Sequence, residues 1–249
     1  LYVLGNDIDA TGYVPVSHTD LGNRTGSDVI GLVGTFDGNG YSISNLNFSN
    51  AETDDCSLFS HVSRGTIKNL AIKNAVISGT QKFKSLFGVY AVGLNMQNVY
   101  VDLNIQSSGN FTGGLFYQFS YVYENILTNC VFNVNSVATT AMFYLGSFTG
   151  EPTAPDTKNW SNVYIISNIA LANKFSESKV VDAEYVDDVA TGTVENIKRY
   201  TSLKEMMKST ANDYSDFKGF WKLVEGVPVW HDAGVTKTLD KQFAYSQSE

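Results

Sequence analysis

The sequence predicts an all-β chain, a right-handed parallel β-helix (a solenoid) of about five to six coils closed by a small C-terminal helix and hairpin. Three observations predict it. A short pattern built around asparagine recurs along the chain, a Leu-Phe element follows each of the early copies, and the composition favours strands and turns. Asn, Ser, Thr and Gly number 22, 24, 20 and 21 among 249 residues, while charged residues make up only 17%. That mixture suits strands, turns and side-chain ladders better than helices. Four prolines and 36 Phe, Tyr, Trp and Met residues argue against a disordered chain.

The repeat reads apolar, any, Asn, apolar, any, apolar. It occurs at Ile43–Phe48, Ile67–Ile72, Met96–Val101, Leu127–Phe132 and Trp160–Ile165, with a degenerate copy at Val194–Ile197. The asparagines, Asn45, Asn69, Asn98, Asn129 and Asn162, are 24, 29, 31 and 33 residues apart. The second element is Leu58-Phe59, Leu86-Phe87, Leu115-Phe116 and Met142-Phe143. Residues on either side of each Asn alternate inward and outward with strand period two, and the Asn breaks the alternation. It therefore marks a corner, because Asn tolerates the left-handed conformation. Coils stacked about 4.8 Å apart let the amides hydrogen-bond along a ladder. Leu46, Leu70, Val99, Cys130 and Val163 then share a buried column. A β-sandwich also has alternating strands, yet it does not explain a corner Asn and a Leu-Phe pair recurring in fixed order. The right hand follows from the rule for parallel crossovers.

The elements follow in order. Residues 1–40 read as an N-terminal cap, with Tyr2-Val3-Leu4, Asn6–Asp9 and the turn-rich Phe36–Gly40. Residues 41–200 are the coils. Residues 201–232 are a C-terminal cap: Ser202–Glu205 fits a helix capping box, and Phe220–Val224 with Val227–Trp230 flank Glu225-Gly226 as a hairpin. Residues 233–249 are a polar tail or linker. Three coil rises separate Cys56 from Cys130 by roughly 14 Å, too far for a disulfide, so both are expected as free thiols.

A resemblance supports this reading. Tyr2-Val-Leu4 with Asn6–Asp9, Gly34–Ile43, and Ser57-Leu-Phe59 with Thr66–Leu70 are similar to GLUG-type β-helix repeat proteins, and Trp221…Gly226–Trp230 is similar to their closing segment. Gly88 and Gly114 fit that pattern, whereas Ser60 and Tyr117 stand where a Gly often follows Phe. The resemblance implies large extracellular bacterial proteins, adhesins and some phage tail or fibre proteins, with other domains beside this one. It carries no set of catalytic residues.

The net charge of −8 leaves no basic face for nucleic acid, and no apolar run reaches the ~18 residues that span a bilayer. The scattered Cys56, Cys130, His18, His61 and His231 do not have zinc-site spacing. No metal or cofactor is expected. Paired carboxylates for hydrolysis are missing from the repeat: Asp102 has only Lys73 on the neighbouring coil, a structural ion pair. The chain is therefore expected not to be an enzyme. Tyr100, Tyr164, Tyr117 and Tyr144 fall at outward positions, where aromatic rings can stack on sugars or anchor a protein. The alternative is that residues 166–200 or the C-terminal cap cover them. The expected function is a non-catalytic extracellular surface or adhesion module whose rigid wall binds a glycan or host protein. The alternatives are part of a phage tail or fibre, and a polysaccharide lyase or hydrolase. The location expected is extracellular, at the cell surface or on a virion.

Overall fold

The computed structural model describes residues 1–15, 31–49, 56–79, 84–107, 114–119, 124–136, 160–167, 184–186, 189–191, 197–200, 221–224 and 227–230. Sixteen strands lie in these residues, and no helix does. They are β1 (Tyr2–Val3), β2 (Ile8–Asp9), β3 (Thr35–Asp37), β4 (Ser42–Ser44), β5 (His61–Ser63), β6 (Thr66–Gly79), β7 (Gly88–Val92) and β8 (Asn95–Ser107). After them come β9 (Phe116–Phe119), β10 (Ile126–Ser136), β11 (Ser161–Ser167), β12 (Glu184–Val186), β13 (Val189–Thr191), β14 (Ile197–Tyr200), β15 (Trp221–Val224) and β16 (Val227–Trp230).

The fold is a parallel β-solenoid. The main sheet runs β1-β3-β6-β8-β10-β11-β14, with β2 and β4 continuing it beside β6, and a second face is the parallel sheet β5-β7-β9. The second face recurs in three coils, so about three turns are complete among the described residues, fewer than the five to six expected. Beyond them, among the described residues, the main-sheet strands β11 and β14 carry the stack onward. The C-terminal hairpin pairs Trp221 with Trp230 and Val224 with Val227, antiparallel. A second antiparallel pair, β12 with β13, was not foreseen. The expected helix at Ser202–Glu205 lies outside the described residues, as does Met142-Phe143.

Why the chain bends where it does is visible in one coil. Ser60, Arg64, Asn69 and Asn74 all have positive φ, at 63°, 51°, 53° and 52°. These left-handed residues turn the strand without breaking its pairing. In the next coil Gly93 (φ 69°) and Asn98 (φ 53°) turn at the positions that follow Ser63↔Val92 and Lys68↔Gln97. Between corners the chain alternates, so Ile67, Leu70, Ile72, Ala75 and Ile77 point inward and are fully buried. Met96, Val99, Val101, Leu103 and Ile105 repeat them one coil on, as do Leu127, Cys130, Phe132 and Val134. The Leu-Phe elements stack likewise: Phe59 N–H donates to the Phe87 carbonyl and Phe87 N–H to that of Leu115. The Phe87 and Phe116 rings stack at 5.8 Å. Each coil is thus a slice of one continuous apolar core that no slice could bury alone. Cys56 and Cys130 are both buried free thiols, as expected from the separation of their coils.

Candidate functional site

The corner asparagines form hydrogen-bonded stacks, and there are two of them rather than one. In the first, Asn129 Nδ2 donates to Asn98 Oδ1 (3.2 Å), Asn98 Nδ2 to Asn69 Oδ1 (3.0 Å), and Asn69 Nδ2 to Asp37 Oδ1 (3.0 Å). In the second, Asn74 Nδ2 donates to Asn45 Oδ1 (2.8 Å) and Asn45 Nδ2 to Asp9 Oδ1 (2.9 Å). Asn45 therefore stacks with Asn74 and not with Asn69, a correction to the single ladder. Asn162 follows Ser161, the partner of Thr128, but its side chain lies outside the described residues. Every amide donates toward the N-terminal coil, and each stack ends on a carboxylate that only accepts. The Asn45 amide first, then Thr11, holds the Asp9 carboxyl below its ordinary value. Asp37 also pairs with Lys68 at 3.3 Å.

Tyr100 and Tyr164 do not stand on an open wall. Tyr100 is 3% exposed and Tyr164 fully buried, in the register column of Ser42, Ala71 and Val131, all of them buried. An outward position in the repeat is here a covered one, so neither ring has the free face that stacking on a sugar requires. The side chain of Tyr117, in β9, and all of Tyr144 lie outside the described residues.

Tyr100 instead belongs to a polar cluster. The register slips between Ile72 and Ala75, so Lys73 and Asn74 together oppose Asp102 in a β-bulge. The Asn74 backbone N–H and the Asn133 amide, at 3.2 Å, both donate to the Asp102 carboxylate. No ion pair with Lys73 forms, contrary to expectation; the bulge replaces it. Burial raises the Asp102 carboxyl above its ordinary value, against the pull of these donors. Burial, then the Asp102 charge, drives the Tyr100 phenol far above its ordinary value. Sequence spacing hides this cluster, because a two-against-one bulge leaves no mark on the repeat.

Two further features carry chemistry-bearing groups. Ser60, at a left-handed corner, has its Oγ 2.9 Å from His61 Nδ1, and the His61 ring stacks on Tyr90 at 4.8 Å. Both Ser60 and His61 are buried, so a substrate has no approach to them. Lys84 is fully buried and its ammonium donates to the carbonyls of Phe48 (3.0 Å) and Ser78 (2.9 Å), tying one coil to the next. Among the described residues no group of three or more His, Cys, Asp or Glu side chains is placed to hold a metal ion.

No protein-family model matches the chain, and no solved structure matches it. Three curated proteins are similar to it, each named Immunoglobulin A1 protease. One, from Streptococcus pneumoniae serotype 4, is 27% identical over 179 residues, which is 68% of this chain and 8% of that protein. One from Streptococcus sanguinis is 26% identical over 219 residues, 80% of this chain and 11% of the relative. A third, from Streptococcus pneumoniae, is 27% identical over 208 residues, 80% of this chain and 10% of the relative. The chain thus spans about a tenth of the length of the curated relatives it matches. This corrects the expectation that the chain is not an enzyme, since the proteins it is similar to bear the name of a protease, at low identity and over a small part of their length. The expectation failed because a repeat shared with part of a long protein carries no trace of chemistry performed by the whole.

Proposed function

We propose that the chain is a parallel β-helix segment of a larger extracellular protein of the immunoglobulin A1 protease kind, and that its coils help it bind a glycan or host protein. One observation carries this reading: the likeness to two of the relatives extends over four fifths of the chain. Immunoglobulin A1 is an extracellular glycoprotein, so a protein that acts on it works outside the cell and meets both sugar and protein surface. The adhesin-like resemblance of the repeat fits the same reading. A rigid solenoid suits the task, because repeat proteins offer long surfaces that need no ordering on binding.

Surface plasmon resonance with immobilised immunoglobulin A1, intact and deglycosylated, tests it. Binding to either form supports the reading, and loss on deglycosylation assigns the contact to sugar. Silence against both forms and across a glycan array overturns it. Tyr117→Ser and Tyr144→Ser, read in the same assay, test the remaining aromatic positions. Gel electrophoresis of the mixture shows whether the segment alone releases antibody fragments, which would place peptide-bond chemistry within it.

A further inference from the structure

Beyond the Asn45 and Asn74 corner the main sheet bends and continues as a third face. Asn74 (φ 52°) turns β6, and the residues after it alternate again. Ala75 and Ile77 point inward beside Leu103 and Ile105 of the next coil, and all four are buried. Leu46 and Phe48 are buried in the layer before, where the Phe48 N–H donates to the Val76 carbonyl. The residues between these face outward. Asn47, Val76, Asn104 and Asn135 form one register column through four successive layers, and Ser78 and Gln106 begin a second beside it. Asn47, Gln106 and Asn135 are exposed, and Val76, Ser78 and Asn104 half-buried. The outward column before the corner is covered instead, with Ala71, Tyr100, Val131 and Tyr164 all buried. The third face runs along the side of the stack, so its exposure does not depend on either end.

Hydrogen bonding and charge decide what this face can hold. The corner amides of Asn69, Asn98 and Asn129 are spent on one another and on Asp37, and that of Asn133 on Asp102. The amides of Asn104, Gln106 and Asn135 are engaged by no other described residue. Asn47 is half set: the Ser49 N–H (2.9 Å) and hydroxyl both donate to its Oδ1, which leaves its Nδ2 to donate. An amide offers donors and an acceptor together, and a sugar hydroxyl is also both. None of the six positions is charged, in a chain whose net charge is −8, so an acidic partner would meet no cation here. The layers repeat every ~4.8 Å, close to the length of one sugar unit in an extended chain. Val76, between Asn47 and Asn104, gives a ring's C–H face an apolar spot. The buried side chains beneath hold the wall in place, so binding orders little of the protein.

We infer that the third face is a binding site for a neutral oligosaccharide laid along the solenoid axis, its successive hydroxyls meeting the amides of Asn47, Asn104 and Asn135. This rests on the glycan reading above and gives that reading a place and a ligand class.

Isothermal titration calorimetry with the whole chain tests this. The probes are linear hexasaccharides of glucose, mannose, galactose and N-acetylglucosamine, with hexagalacturonate as the acidic counterpart. At least one neutral hexasaccharide is expected to bind, and hexagalacturonate to bind at least about tenfold more weakly. Asn104→Ala together with Asn135→Ala should weaken the neutral sugar by about tenfold or more. The thermal unfolding curve should stay in place, since these amides have no partner to lose among the described residues. Ser63→Ala, on the second face, should leave binding as it is. No binding of any neutral hexasaccharide overturns the inference, as does tighter binding of hexagalacturonate. Neutral-sugar binding that survives the double substitution also overturns it, because the contact then lies on another face. Immunoglobulin A1 captured by a chain that binds no hexasaccharide removes this site alone and leaves the proposed function standing.

Discussion

Asn74 lies directly against Asn45, its Nδ2 donating to the Asn45 Oδ1 at 2.8 Å across 29 residues. The same separation divides Asn98 from Asn69, whose amides meet at 3.0 Å. These two steps are therefore 29 residues at both corners, and the shorter step from Asn45 to Asn69 joins two different corners of adjacent coils. This places the stability of the early coils in two parallel lines of amides rather than one.

The Asn98 amide serves two neighbours, donating to Asn69 and accepting from Asn129. Asn98→Ala should cost roughly 1–3 kcal/mol for the lost hydrogen bonds, with about 1 kcal/mol more for placing Ala at φ 53°. Asn98→Gly removes the amide without the strain and should cost less. Ser44→Ala, at a half-buried position whose hydroxyl donates to the Ile8 carbonyl at 3.2 Å, removes one hydrogen bond and no stacked amide and should cost less, about 0.5–1 kcal/mol. Urea unfolding of the three variants separates the contributions; equal midpoints would speak against the stack.

Gly38 sits where the chain passes close against the next coil. A Cβ there would strike the Asn69 carbonyl oxygen and the Leu70 Cα, both backbone atoms that cannot step aside cheaply. Gly38→Ala should destabilise by roughly 1–3 kcal/mol or more. At Gly34 a Cβ meets nothing within 4 Å, so Gly34→Ala should have little effect. Paired thermal melts of the two variants check the contrast.

Burial pushes the Cys130 thiol up to about 12, with the backbone contacts of Val99 and Thr128 opposing the shift. The thiolate is the reactive form. The folded chain should therefore leave both buried cysteines unmodified by a thiol reagent at about pH 8, and denaturant should release two thiols. Rapid labelling of the native protein would contradict the packed core.

Asp102 and Asp9 respond to pH in opposite senses. The folded carboxyl of Asp102 is raised by burial, so the native state keeps its proton after the unfolded chain has lost it. Its contribution to stability falls as pH rises from its ordinary value of 3.8 through the raised one. The Asp9 carboxyl is depressed, so its contribution is present above 3.8 and is lost as pH falls through the lower folded value. Asp102→Asn should therefore gain on the parent chain as pH rises from about 3 to about 8, by urea midpoints at each pH. A gap that widens toward acid would contradict the assignment.

The solenoid was legible in the sequence because stacking forces identical demands on every coil. The core columns through Ile67, Met96 and Leu127 and the left-handed asparagines recur for that reason. Features that break the repeat were not legible. The second stack escaped notice although Ile72-Lys-Asn74-Ala75-Val-Ile77 has the same frame, because it follows the Asn69 copy by only five residues inside one long strand and so breaks the expected coil spacing. The Asp102 bulge slips the register, and burial of Tyr100 and Tyr164 depends on what covers the outward column, which periodicity does not encode. Lys84 reads as a surface lysine in a polar stretch, yet its ammonium reaches carbonyls six and 36 residues away.

The central claim is that coils lie in parallel register with Lys68 beside Gln97 and Gln97 beside Thr128. Oxidative cross-linking of paired cysteine variants, read by mass spectrometry of the digested chain, measures this directly. Neighbouring coils put partner positions about 5 Å apart, within disulfide reach, and alternate coils about 10 Å apart, beyond it. Lys68→Cys with Gln97→Cys should link efficiently, and Lys68→Cys with Thr128→Cys should not. A link in the second pair without one in the first would mean that the strands are not stacked coil on coil.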